Sequence, residues 1–264
     1  MKELILRTLT GITLIVLVAG SILLGPEAFF GMTLVLYVLS VIELNTLFHK
    51  VKSSRRWIQT IPGFLLLPFS FAILEYHLHP AWLIVPAGFW LFSTLRWGFN
   101  LPGLLSFLWL ALPYSSFLAL GWIAEDHSYQ SSLPLAMIAL VWVNDTFAYL
   151  TGSLLGRHKM TPVLSPGKTW EGFAGGVIFT LLGGWITWKI TGMLGAGTWI
   201  AISLIIGSLG LAGDLFESGL KRTVKVKNTG NLLPGHGGIL DRFDSLLFVA
   251  PALVILFLLI KLLL

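Results

Sequence analysis

Apolar residues run in long, nearly unbroken stretches from one end of this chain to the other, separated by short polar segments. A helix needs about 20 such residues to cross a hydrocarbon core about 30 Å thick. The pattern predicts nine of them, over residues 4–24, 28–48, 58–75, 81–95, 101–124, 133–152, 173–191, 197–216 and 245–264. The third and fourth are shortened and interrupted by Pro62, Pro68 and Pro86, which lipid tolerates where neighbouring helices satisfy the freed carbonyls; a re-entrant pair is the other arrangement allowed there. Lys2 and Arg7 ahead of the first apolar run resemble a signal peptide, but no small-residue cleavage site follows and more spans come behind, so it reads as a retained helix. The expected fold class is an all-α polytopic membrane protein with about nine transmembrane helices.

Composition agrees and narrows the chemistry. With 56% hydrophobic and 11% charged residues and a mean hydropathy of +0.86, the chain lies far from ordinary soluble domains. The absence of cysteine excludes thiolate catalysis, disulfides and cysteine-held metals. If the N-terminus is cytoplasmic and nine helices follow, all of the 17 Lys and Arg except Lys189 and Lys261 face the cytoplasm. An error of one in the count would reverse every later loop. The net charge of +5 then sits on an inner face suited to anionic headgroups, and a bacterial inner membrane with its functional side towards the cytoplasm is the expected location.

Polar residues are unevenly spread, which divides the chain into an N-terminal set of helices, 1–132, and a C-terminal region, 133–264. In the first part they punctuate loops, except for Glu43, an intramembrane carboxylate that needs a partner or a cavity. In the second part, three clusters fall at cytoplasmic helix ends: WVNDTFAYLTGSLLGRHKMTPVLSPGKTWEGFAGG (142–176), GDLFESGLKR (213–222) and KNTGNLLPGHGGILDRFDS (227–245).

Asp214, Glu217, Ser218 and Lys221 recur at the spacing of one helix face, and Asp241, Asp244 and Ser245 repeat part of that spacing. Paired carboxylates on two helix ends suit a hard cation such as Mg²⁺, which takes oxygen ligands and keeps waters for phosphate groups. The surrounding Lys168, Lys221, Arg222, Lys225, Lys227 and Arg242 would offset the charge of a polyphosphate. Pro234, Gly235, Gly237 and Gly238 around His236 form a turn whose backbone N–H groups can approach an anion, and Ser165–Thr169 forms a second turn before a helix starting near Trp170. Neither has Walker A spacing. Asp145 sits near the middle of a span, where a carboxylate costs at least about 2.5 kcal/mol.

The run Ser218-Gly-Leu-Lys221-Arg222, then Lys227, then Leu232-Leu-Pro-Gly-His236-Gly-Gly-Ile-Leu-Asp241-Arg242-Phe-Asp244 resembles the signature of the phosphatidate cytidylyltransferases, or CDP-diacylglycerol synthases. SPGKTWEG at 165–172 and DTFAYLTG at 145–152 match the same family, so the resemblance covers residues 140–250. One position departs: Asn228 stands where the family has Asp, which puts that residue's own role in question. The resemblance implies transfer of CMP from CTP to phosphatidic acid with Mg²⁺, giving CDP-diacylglycerol and pyrophosphate. Together with helix-face geometry it makes Asp214 and Asp241 the first expected metal ligands, with Glu217 beside them and Asp244 and Asp145 as further carboxylates. Lys221, Arg222, Lys227 and Arg242 are expected to hold phosphates. Ser165, Lys168, Thr169, His236, Gly237 and Gly238 are expected to bind substrate from the loops. The partners implied are CTP, phosphatidic acid and the lipid bilayer, not a nucleic acid polymer, and a homodimer is compatible with the sequence. The alternatives are a CTP-dependent kinase acting on polyprenol or another lipid alcohol, and a non-enzymatic membrane transporter.

Overall fold

The structure, a computed structural model, describes residues 2–48, 58–123, 128–230, 232–233 and 237–263. Lys50, Lys52, Arg55 and Arg56, which contributed to the orientation argument, lie outside the described residues, as do Pro234, Gly235 and His236.

Nine helices occur among the described residues. They are α1 (Lys2–Leu24), α2 (Pro26–Leu47), α3 (Ile61–Tyr76), α4 (Ile84–Trp97), α5 (Leu101–Trp122), α6 (Ser132–Leu155), α7 (Trp170–Thr191), α8 (Ala196–Thr223) and α9 (Leu240–Leu263). Among the described residues, seven helices are long and apolar enough to cross a membrane, α3 being counted with the 3₁₀ turn Ile58–Thr60 that leads into it. Outside that set are α4, with only 14 residues, and α1, of which Thr8–Leu24 counts as a shorter apolar helix among the described residues. The fold is therefore all-α and polytopic, with α4 shorter than the span expected of it. Pro80 and Pro86 bear on this: a 3₁₀ turn at Pro80–Leu83 precedes α4 and uses up residues that the apolar pattern alone would assign to it.

Two other boundaries move for local reasons. Helix α8 runs seven residues beyond the expected end at 216, through turns in which Lys221 donates to Glu217 at i,i+4. Residues 165–169, expected as a turn, instead form strand β2 (Ser165–Thr169), paired antiparallel with β1 (Lys159–Thr161). The turn itself lies at 162–164. Three- and five-residue strands carry too few alternations to register as a period.

The chain divides into two compact units, Met1–Pro134 with Asn228–Phe243, and Leu135–Lys227 with Asp244–Leu264. In the first, α2 turns a polar edge inward. Tyr37 shares a hydrogen bond with Ser106 at 3.2 Å and Ser40 with Tyr114 at 2.9 Å, so the buried hydroxyls satisfy one another. In the second unit, small residues let backbones approach, as expected between helices in lipid. Gly172, Gly175 and Gly176 of α7 face Ala148, Thr151 and Asn144 of α6. Ser203 of α8 donates to the Thr180 carbonyl of α7 at 3.1 Å.

Candidate active site

The acidic residues of α8 fall on one face, and the second unit gathers them. Asp214, Glu217 and Asp244 each offer a carboxylate oxygen, all within 4.8 Å of one another. Two come from α8 and one from the second turn of α9. Their approach depends on Gly213: a Cβ there would collide with the backbone carbonyl of Asp244, so only glycine lets α9 lie this close. Ser245 fastens the same contact by donating to the Gly210 carbonyl at 3.2 Å.

Three carboxylates so close repel one another, and the structure places cations against them. Lys168, carried on β2, forms an ion pair with Asp214. Lys221 donates to Glu217 at 3.0 Å, with the Glu217 side chain 1% exposed and that of Lys221 11%. Ser218 donates to Asp214 at 3.3 Å. Asp145 of α6 acts electrostatically on Asp244, and its own carboxylate receives a hydrogen bond from Asn144 at 3.4 Å. An all-oxygen donor set of three clustered carboxylates fits a hard divalent cation and offers nothing to a soft one.

The hairpin that delivers Lys168 is itself anchored. Thr169 caps α7, accepting from the Gly172 N–H at 3.1 Å. Glu171, in the first turn, accepts from the N–H groups of Arg157 and His158 and pairs with the His158 ring. The Thr169 hydroxyl is thus engaged in capping, and Ser165 meets Thr161 across the hairpin, its carbonyl accepting from the Thr161 hydroxyl at 3.4 Å. Arg222 and Lys227 are exposed, and Arg222 donates to the Val226 carbonyl at 3.2 Å.

In the first unit, the loop leading into α9 has its own organisation. Asp241 Oδ2 accepts from the Gly238 N–H at 2.8 Å, the Thr229 N–H at 3.1 Å and the Thr229 hydroxyl at 3.1 Å. Glu43, 3% exposed, accepts from the Ile239 and Leu240 N–H groups at 2.9 and 3.0 Å. These are donors that the start of a helix leaves without intrahelical partners. Gly237 has φ +85, a region that favours glycine. Arg242 and Asn228 are exposed.

The structure therefore brings together Asp214, Glu217, Asp244, Lys168, Lys221 and Asp145 of the residues singled out from sequence. It engages Thr169, Gly238 and Asp241 in local hydrogen bonds that sequence spacing does not reveal. What the sequence left open was the partner of Glu43. Its intramembrane charge was the available signal, but its partners lie 186 to 197 residues away.

Residues 5–260 match the cytidylyltransferase family. Over 119 residues the chain is 50% identical to a phosphatidate cytidylyltransferase of Staphylococcus saprophyticus, a match covering 44% of this chain and 45% of the relative. It is 48% identical over 118 residues to a protein of the same name from Staphylococcus aureus, with the same coverage. The matched stretch is thus less than half the length of these relatives.

Proposed function

The chain belongs to the cytidylyltransferase family, and from that premise we propose that it transfers CMP from CTP to phosphatidic acid, giving CDP-diacylglycerol and pyrophosphate. The observation that carries the reading is the Asp214, Glu217 and Asp244 cluster with Lys168 and Lys221 held against it. The relatives are phosphatidate cytidylyltransferases by name, which supports the choice of lipid substrate.

The reaction joins two polyanions. A phosphate oxygen of phosphatidic acid forms a bond to the α-phosphorus of CTP, and the bond from that phosphorus to the oxygen bridging to the β-phosphate breaks. Pyrophosphate leaves with the electron pair. Because the nucleophile is already an oxyanion, no covalent intermediate with a side chain is required, and positioning and charge compensation are the protein's tasks. Mg²⁺ held by Asp214, Glu217 and Asp244 would neutralise phosphate charge and favour departure of pyrophosphate. Lys168 and Lys221 lie beside those carboxylates and can contact phosphate oxygens without travelling far. Asp145 adds negative charge that strengthens the hold on a cation.

Of the two aspartates that open α9, Asp244 is assigned to the cation and Asp241 to ordering the loop before it. Arg222, Lys227 and Arg242 are exposed cations suited to the outer phosphates, with Ser165, Gly237 and His236 as further substrate contacts. The distribution of Lys and Arg supports a cytoplasmic N-terminus and a site facing the cytoplasm, and the Staphylococcus relatives support a bacterial membrane. The lipid then reaches the site from within the inner leaflet, since withdrawing its chains costs about 0.8 kcal/mol per CH₂.

Purified protein in detergent micelles with CTP, phosphatidic acid and Mg²⁺ is expected to release pyrophosphate and form a CDP-lipid in equal amounts. No turnover by either the wild type or Asn228→Asp, or formation of CDP and a phosphorylated lipid when a polyprenol is supplied in place of phosphatidic acid, would refute the reading. Asn228→Asp is expected to keep wild-type turnover within about two-fold, since solvent screens an exposed charge. Activity confined to that variant would instead make Asn228 the reason for a silent enzyme.

A further inference from the structure

Glu43 lies on a helix that carries none of the residues assigned to the reaction, yet it is among the most buried polar groups of the molecule. Its two oxygens are fully used within the first unit. Oε1 accepts from Ile239 N–H at 2.9 Å, while Oε2 accepts from Leu240 N–H at 3.0 Å and lies 3.2 Å from the Thr229 hydroxyl. That hydroxyl is also 3.1 Å from Asp241 Oδ2. A hydroxyl has one proton to donate, so it serves one carboxylate at a time and ties both to the same point. Glu43 and Asp241 together thus collect four backbone N–H groups, from Thr229, Gly238, Ile239 and Leu240.

The surroundings are shaped to this carboxylate. A Cβ on Gly230 would come within 2.7 Å of Glu43 Oε1, and one on Gly238 would run into Thr229 and Glu43 together. The two glycines therefore leave the space that the Glu43 side chain fills. A negative charge at this end of α9 is also favoured by the helix dipole. Neutral Gln has nearly the same shape, but it would turn an NH₂ group towards an N–H donor.

We propose that Glu43 is a positioning residue for nucleotidyl transfer: reaching from α2, it fixes the first turn of α9 and also Thr229, through the hydroxyl it shares with Asp241, and so sets where Asp241 and Arg242 stand. The inference rests on the reaction proposed above. It assigns Glu43 no contact with substrate, and its effect passes through the backbone of α9.

Charge-assisted hydrogen bonds and filled volume make opposite predictions for two conservative variants. If Glu43 acts through charge-assisted bonds, Glu43→Asp, shorter but still anionic, retains more turnover than the nearly isosteric Glu43→Gln. If it only fills space, the order reverses. Turnover is measured as CDP-lipid formed per folded molecule, with folded protein counted by size-exclusion chromatography and thermal melting. Glu43→Gln is expected to lose about ten-fold or more in kcat, the range for a lost charged hydrogen bond that aligns reacting groups. Should that variant not fold, Thr229→Val, which removes the shared hydroxyl, is expected to lower kcat per folded molecule by about three-fold or more. Wild-type-like kcat in whichever of these variants folds, or Gln outperforming Asp, would overturn the proposal. Absence of CDP-lipid formation by both the wild type and Asn228→Asp would instead defeat the reaction itself, so the two failures are distinguishable.

Discussion

Lys221 and Glu217 offer the sharpest quantitative test of how the acidic cluster is held. Their contact is 3.0 Å and both side chains are almost fully buried. At an effective dielectric constant of about 20, the attraction at this distance is about 5.5 kcal/mol before desolvation is counted. Removing one partner of a buried pair typically costs about 3–5 kcal/mol, because the remaining charge stays in the interior. Here the remaining charge is Glu217, within 4.8 Å of carboxylate oxygens of Asp214 and Asp244, so repulsion adds to the loss. Lys221→Met is therefore expected to destabilise the protein by about 3 kcal/mol or more, a melting midpoint lower by roughly 6–12 °C for a chain of this size. The assay is thermal unfolding in detergent, followed by tryptophan fluorescence, with EDTA and then with millimolar MgCl₂. Two controls separate charge from packing. Lys221→Met with Glu217→Gln removes both charges and is expected to recover most of the lost stability, as replaced buried pairs often do. Mg²⁺ is expected to raise the midpoint of Lys221→Met if the cluster binds it, because a ligand selective for the folded state stabilises it. A single variant that melts within about 2 °C of wild type, or a double variant no better than the single, would refute the account of Lys221 as the counter-charge of the cluster.

Two further outcomes follow from the same geometry. Asp214→Asn removes one of the three clustered carboxylates and is expected to lower kcat by about 100-fold or more and raise the Mg²⁺ concentration for half-maximal rate; unchanged Mg²⁺ dependence in a titration would exclude Asp214 as a ligand. Gly213→Ala places a Cβ against the Asp244 backbone carbonyl and is expected to cost about 1–3 kcal/mol as an overpacked helix contact, read as a lower melting midpoint; wild-type melting would show that α8 and α9 are free to separate there.

Much of this architecture was legible from residue order because lipid imposes a coarse rule. Each apolar run must satisfy its own backbone, so runs become helices, and the expected helix bodies agree with the observed ones. The face shared by Asp214, Glu217, Ser218 and Lys221 was equally local, fixed by a 3.6-residue period within one helix. The ends were less legible. Helix α9 begins at Leu240 instead of 245, and part of the cap that meets its first N–H groups is Glu43, far away in the sequence. The hairpin at 159–169 escaped because strands this short leave no period, although SPGKT already marked the place as chemically unusual.

The sequence by itself determined the class of fold, the family signature, and the pool of oxygens and cations from which a site could be built. The tertiary structure decided how that pool is divided. Spacing alone makes Asp241 and Asp244 near-equivalents on α9, one turn apart. Packing through Gly213 brings Asp244 to Asp214 and Glu217, while Asp241 is committed to Thr229 and Gly238. It also turned Thr169 into a cap and gave Glu43 its partners. A helix period fixes which side chains share a face, but which face meets which partner depends on contacts between residues distant in the chain, and these exist only once the helices have packed.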